Sequence, residues 1–129
     1  MSGSSMRPLE VQREAEGLAV VVRAAGELDQ YTVPVLRTEI DAAFAAATPP
    51  SPVVVDLTGI DFFGSAGINE LVIQHERATG GPVPLRIVAP QEKVLRPIAL
   101  TGLDDVLDIY PELELALHCD RPALPRMTN

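Results

Sequence analysis

The sequence predicts a small α/β domain built on a largely parallel sheet. Three observations carry this. Short runs of Val, Leu and Ile alternate along the chain with longer segments of helical periodicity, a pattern that needs crossover connections between parallel strands. Aromatic residues make up only 4% of the chain and tryptophan is absent, so branched strands packed against alanine-containing helices must supply the core. With 129 residues, 47% of them hydrophobic and 22% charged, the chain has the length and composition of one globular unit with one core.

Taken in order, residues 9–15 and 18–24 read as two strands with a turn at Glu16-Gly17. In the second, Leu18, Val20 and Val22 alternate with Ala19, Val21 and Arg23. Gly26-Glu27-Leu28-Asp29 reads as a loop. Thr32 is the expected N-cap of a helix that carries Pro34 in its first turn. Val33, Leu36, Ile40, Phe44 and Ala47 recur at helical spacing, and Thr48-Pro49-Pro50-Ser51-Pro52 ends the helix. Val53-Val54-Val55 is a continuous apolar run, the pattern of a central strand buried on both faces. Asp56 to Phe63 is partly extended, and Gly64-Ser65-Ala66-Gly67 makes a sharp turn of small residues. A second helix follows, with Ile68, Leu71, Val72 and His75 expected on one side, and closes near Gly80-Gly81-Pro82.

Leu85-Arg86-Ile87-Val88 is the next strand. Residues 91–100 predict a short helix closed by Gly102. Pro97 costs about 3 kcal/mol in a helix interior, so a late start or a bend is expected there. Residues 106–109 predict a last strand and residues 111–117 a last helix. By these readings residues 1–8 are a flexible leader, 9–118 the domain, and 119–129, with two prolines, a loose tail.

The net charge of −8 repels phosphate backbones and anionic lipid, so nucleic-acid and membrane partners are not expected, whereas a basic protein patch suits it. The one cysteine, Cys119, makes neither a disulfide within the chain nor a zinc site. No apolar run reaches bilayer length and residues 1–8 lack the apolar stretch of a signal peptide, so the expected location is cytoplasmic. The catalytic inventory is nearly empty. Around Ser65 the order Phe63-Gly64-Ser65-Ala66-Gly67 misses the nucleophile-elbow spacing by one residue. His75 follows on the same helix roughly 15 Å away, beyond hydrogen-bond reach. His118 lies near the frayed end, and both histidines read as core or surface residues. There is no glycine-rich phosphate loop and no convincing set of metal ligands. Neither an enzyme nor a bound cofactor is expected.

Ser65 remains, directly after an extended segment and directly before a helix. Two readings of it are open. It is a helix N-cap, or it is an acceptor for phosphate, which unpaired amides and the positive end of the helix dipole would hold without unfolding anything.

The motifs taken together resemble the STAS-domain anti-sigma factor antagonists. Gly26-Glu27-Leu28-Asp29 with Tyr31-Thr32-Val33-Pro34-Val35-Leu36-Arg37 is similar to the family's first signature. Val53-Val54-Val55-Asp56-Leu57 leading into Phe62-Phe63-Gly64-Ser65-Ala66-Gly67-Ile68 is similar to the second. Leu85-Arg86-Ile87-Val88, Leu100-Thr101-Gly102-Leu103 and Val106-Leu107-Asp108-Ile109-Tyr110 match the C-terminal part, so the resemblance covers residues 9 to 118.

The resemblance implies a small sheet with helices mainly on one side. It implies partner switching in bacterial stress or sporulation signalling. The unphosphorylated antagonist binds an anti-sigma factor that is also a GHKL-type serine kinase, and the sigma factor is released. The kinase then phosphorylates a serine at a helix start, and a PP2C-type phosphatase reverses this. By motif position that serine is Ser65. The partner surface carries over to Asp29, Thr32, Gly64, Ser65, Ala66, Gly67 and Asn69. The chain departs from the pattern at Gly64, where the family usually has Asp. That departure keeps an alternative alive: a STAS scaffold, or an accessory subunit of a transport ATPase or stress-sensing assembly, that never carries phosphate.

Overall fold

The computed structural model describes residues 8–118. The predicted leader and tail, with Cys119, otherwise lie outside the described residues. Two strands open the chain, β1 (Glu10–Glu16) and β2 (Ala19–Leu28), paired antiparallel across Gly17. Then come α1 (Val33–Ala46), β3 (Val53–Phe63), α2 (Ser65–Thr79), β4 (Leu85–Val88) and α3 (Glu92–Leu100). A 3-10 turn (Leu103–Asp105), β5 (Ile109–Tyr110) and α4 (Leu113–His118) complete it. The five-stranded sheet runs β1-β2-β3-β4-β5, and every pair after the first is parallel.

The main core lies between the sheet and α1, α2 and α3. From β2 it takes Val20, Val22 and Ala24, from β3 Val53, Val55 and Leu57, and from the helices Leu36, Ile40, Leu71, Val94 and Ile98. The alternate strand positions point to the other face. There Val21, Val54 and Val88 meet Ala116 of α4, with Tyr110, Leu113 and Leu117 around them. The expectation of helices mainly on one side therefore describes this sheet, with the short α4 as the exception.

Several local expectations are corrected. The predicted loop at residues 26–29 belongs largely to β2, which continues to Leu28. Gly26 has φ 112°, and a β-carbon there would come within 2.4 Å of the Pro8 carbonyl oxygen, so only glycine lets the strand pass. The pairing with β3 shifts register just after it, between Gly26 and Glu27, and the strand resumes beyond the irregularity. α3 begins at Glu92 despite Pro97, so the late start does not occur. The acceptor left without its usual helical donor is the carbonyl of Lys93, an exposed residue, where water can serve it. The last strand is Ile109–Tyr110 rather than residues 106–109, because Leu103–Asp105 winds into the 3-10 turn and carries Val106 with it. The last helix starts at Leu113, two residues later than residue 111.

The buried face of α2 also differs. Gly67, Glu70, Leu71, Gln74 and Ala78 point inward, while Ile68, Val72 and His75 are half-buried. The inward carboxylate is satisfied across the seam with α1. Arg37 donates from Nε and Nη2 to Glu70 Oε1 at 3.2 and 2.9 Å, and Gln74 Nε2 donates to Oε2 at 2.7 Å. The hydrogen bond to Glu70, and then its charge, push the Arg37 guanidinium above its ordinary range. Arg77 continues the seam, paired with Asp41 and with its guanidinium 4.7 Å from the centre of the Phe44 ring.

Candidate functional site

β2 and β3 are parallel neighbours, so the segments that leave their C-terminal ends emerge side by side. Glu27 pairs with Phe62 and Leu28 with Phe63 in the last registers. The Gly64 amide then donates to the Leu28 carbonyl at 3.0 Å, which ties the start of α2 to the end of β2. At this end of the sheet the two connecting segments lie close enough to form one surface.

After β2 the chain turns on Asp29. Its Oδ1 accepts from the amides of Tyr31 at 2.9 Å and Thr32 at 3.1 Å. Thr32 Oγ1 accepts from the Asp29 amide at 3.0 Å and donates to the Glu27 carbonyl at 2.8 Å. Thr32 holds the N-cap position of α1, but its hydroxyl caps no helical amide and its backbone is already helical, with φ −102° and ψ −17°. The side chain that organises this helix entry is Asp29.

After β3 the N-cap position of α2 is Gly64, in extended conformation, and Ser65 is the first helical residue. This corrects the reading of Ser65 as the N-cap. No side chain caps α2, while the Gly64 carbonyl accepts from the amides of Gly67 at 3.0 Å and Ile68 at 3.3 Å. Ser65 is exposed, and so is Asn69, one turn further on the same side of the helix. Ala66 is half-buried. Gly67 is buried, and a β-carbon on it would come within 2.8 Å of Leu28 Cδ2 and 2.9 Å of Phe63 Cε1. It lets the helix start close to the sheet and offers no surface of its own.

An open cleft of about 500 Å³ lies between the two segments. One wall is Glu27, Asp29, Gln30 and Tyr31; the other is Phe62, Gly64, Ser65 and Ala66. Of the residues predicted from sequence, Asp29, Gly64, Ser65 and Ala66 are brought together here. Thr32, Gly67 and Asn69 are not among the lining residues. The lining carries two carboxylates and neither lysine nor arginine, so its potential is negative.

Sequence reasoning missed the aromatic part. Tyr31 is 80% exposed and Phe62 50% exposed. A signal was present in the adjacent pair Phe62-Phe63 on a strand, since neighbouring strand residues point to opposite faces and one ring had to turn away from Leu28. His75 lies half-buried on α2, and His118 pairs with Glu114 at 3.4 Å on α4; neither lines the cleft. Among the described residues no group of three His, Cys, Asp or Glu side chains is placed to hold a metal ion, and no helix is long and apolar enough to cross a membrane.

Comparison with known proteins agrees with this architecture. The family model of the STAS domain matches residues 10–116. The chain belongs to the STAS domain family. The anti-sigma-F factor antagonist RsfA of Mycobacterium tuberculosis is 36% identical over 99 residues, which cover 77% of each chain. Among solved structures, this STAS domain is similar to an anti-sigma factor antagonist from Mycobacterium paratuberculosis. The TM-score is 0.75 at 34% identity, over 84% of this chain and 90% of that one. The anti-sigma factor antagonist SpoIIAA in its unphosphorylated form shares the fold, with a TM-score of 0.65 at 22% identity over 81% and 91% of the two chains.

Proposed function

We propose that this STAS domain is an anti-sigma factor antagonist switched by phosphate on Ser65. Unphosphorylated, it binds a GHKL-type anti-sigma factor that is also a serine kinase, and so frees a sigma factor in the cytoplasm. Phosphorylation of Ser65 ends the binding, and a PP2C-type phosphatase restores it. The observation that carries the reading is the exposed Ser65 at the first position of α2, lining a cleft at the sheet edge, in a chain whose relatives are named as antagonists of this class. The role is regulatory, not catalytic.

The switch acts by charge. A phosphate adds about −1.5 to −2 charges beside Glu27 and Asp29, with no cation in the cleft lining to neutralise them. A partner that closes over the site must desolvate that charge, at a cost of about 3–5 kcal/mol. This weakens binding by about two to three orders of magnitude. The test is incubation with the candidate kinase and ATP, mass mapping of the modified residue, and calorimetric titration of variants. Ser65→Asp is expected to fold and bind poorly, and Ser65→Ala to bind and resist inactivation. A second reading, a scaffold or accessory subunit that carries no phosphate, is favoured by Gly64 in the place of the family carboxylate. Wild-type affinity in Ser65→Asp, with no phosphate on Ser65, would establish that reading instead.

A further inference from the structure

Gly64 raises a question of its own. Its backbone, with φ −92° and ψ 175°, is extended and open to any residue. A β-carbon there would meet one group closer than 3.4 Å: the Phe62 ring, with Cε2 at 3.1 Å and Cζ at 3.5 Å. The nearest backbone atom, the Leu28 carbonyl oxygen, would be 3.6 Å away, an ordinary contact. Gly26 and Gly67 answer to a positive φ and to the core; Gly64 answers to a ring that is half in water. The helix also forgoes a side-chain N-cap at this position.

We propose that Gly64 is glycine so that Phe62 can lie across it, and that Phe62 with Tyr31 forms the aromatic anchor through which the Ser65 surface engages its protein partner. The proposal deepens the antagonist reading and rests on it. Exposed rings of this kind carry binding energy well, since they bring large area at little entropic cost. The chain has five aromatic residues in all, three Phe and two Tyr, and two of them border one serine, at 80% and 50% exposure. The occupant is a protein surface with an apolar socket for the rings and basic side chains at its rim. Glu27 and Asp29 flank the rings, and the net charge of −8 steers a basic partner to them. An apolar socket also explains why a dianion on the adjacent Ser65 would not be tolerated.

The test uses the full chain and each GHKL-type anti-sigma factor encoded in the same genome, purified and titrated without nucleotide. Phe62→Ala is expected to raise Kd by about ten- to a hundred-fold, and Tyr31→Ala by about ten-fold or more, with the melting temperature nearly unchanged. Gly64→Asn supplies an N-cap without adding charge, so it is expected to melt at or above the wild-type temperature while binding about ten-fold more weakly. The double variant Phe62→Ala/Gly64→Asn is expected to bind no worse than Phe62→Ala, because Gly64 acts through the ring. Phe62→Ala within about two-fold of wild type, while Ser65→Asp fails to bind, overturns the aromatic anchor and leaves the antagonist reading standing. Additive losses in the double variant overturn the role given to Gly64. If the wild-type chain binds none of the anti-sigma factors, both the antagonist reading and the anchor fall.

Discussion

Glu70 and Arg86 are both charged and both almost fully buried, at 1% and 5% exposure, yet the structure treats them differently. Glu70 lies in the α1–α2 seam. Arg37 and Gln74 together occupy both of its oxygens. Arg86 lies on the opposite face of the sheet, under α4. Its Nη1 donates to the Ala116 carbonyl at 2.7 Å, and its guanidinium stands 5.9 Å from the centre of the Tyr110 ring. Its Nε is buried without a partner, as is Oδ1 of the nearby Asp108. A satisfied polar group specifies geometry, whereas a half-satisfied one mainly costs desolvation. The seam at Glu70 fixes how α1 and α2 meet, and the starts of those two helices frame the Ser65 cleft. The face under α4 closes the sheet and positions no site residue.

The difference can be broken most severely in the main core. Leu36→Ala removes a side chain with 0% exposure between α1 and the sheet, and is expected to cost about 2–5 kcal/mol in urea unfolding. A smaller loss would mean that α1 collapses onto the space. The seam itself comes next. Glu70→Ala leaves Gln74 without its acceptor, while Arg37, half in water, rehydrates. The expected loss is about 1–3 kcal/mol, with a matching fall in partner affinity as the helix starts drift. If stability falls and affinity does not, the seam holds the fold without positioning the site.

Asp29 sharpens the comparison at the cleft. Asp29→Ala removes the acceptor for the Tyr31 and Thr32 amides, so a stability loss of about 1 kcal/mol is expected alongside weaker partner binding. Asp29→Asn keeps an acceptor oxygen, and is expected to recover the stability but not the charge. On the other face, Arg86→Met exchanges a half-satisfied cation for an apolar chain of similar length. Its stability is expected to match or exceed that of wild type, as read from the urea midpoint. A loss above about 2 kcal/mol would show that the single bond to Ala116 holds α4 in place. The smallest effect is expected from Ser65→Asp, within about 0.5 kcal/mol of wild type, because a carboxylate in the first turn of α2 suits the helix dipole. Under the proposed switch, its large effect is expected in partner binding, read by calorimetric titration.

The sequence by itself determined the order of elements and the ends that rest on local chemistry. The proline run from Pro49 stops α1, Val53-Val54-Val55 is a central strand, and Gly102 closes α3 in a left-handed turn with φ 77°. These depend on neighbours a few residues away, which periodicity and breakers report directly. The position of Ser65 next to Asp29 was legible only through the family motifs. What only the tertiary structure decided depends on residues brought from elsewhere. β2 runs through Gly26 because Pro8 and β3 lie against it. Glu70 can turn inward because Arg37 meets it from another helix. Phe62 turns outward over Gly64 because Phe63 takes the place beside Leu28. Each of these is set by a contact between distant parts of the chain, and a pattern read along one segment carries no record of what will be packed across from it.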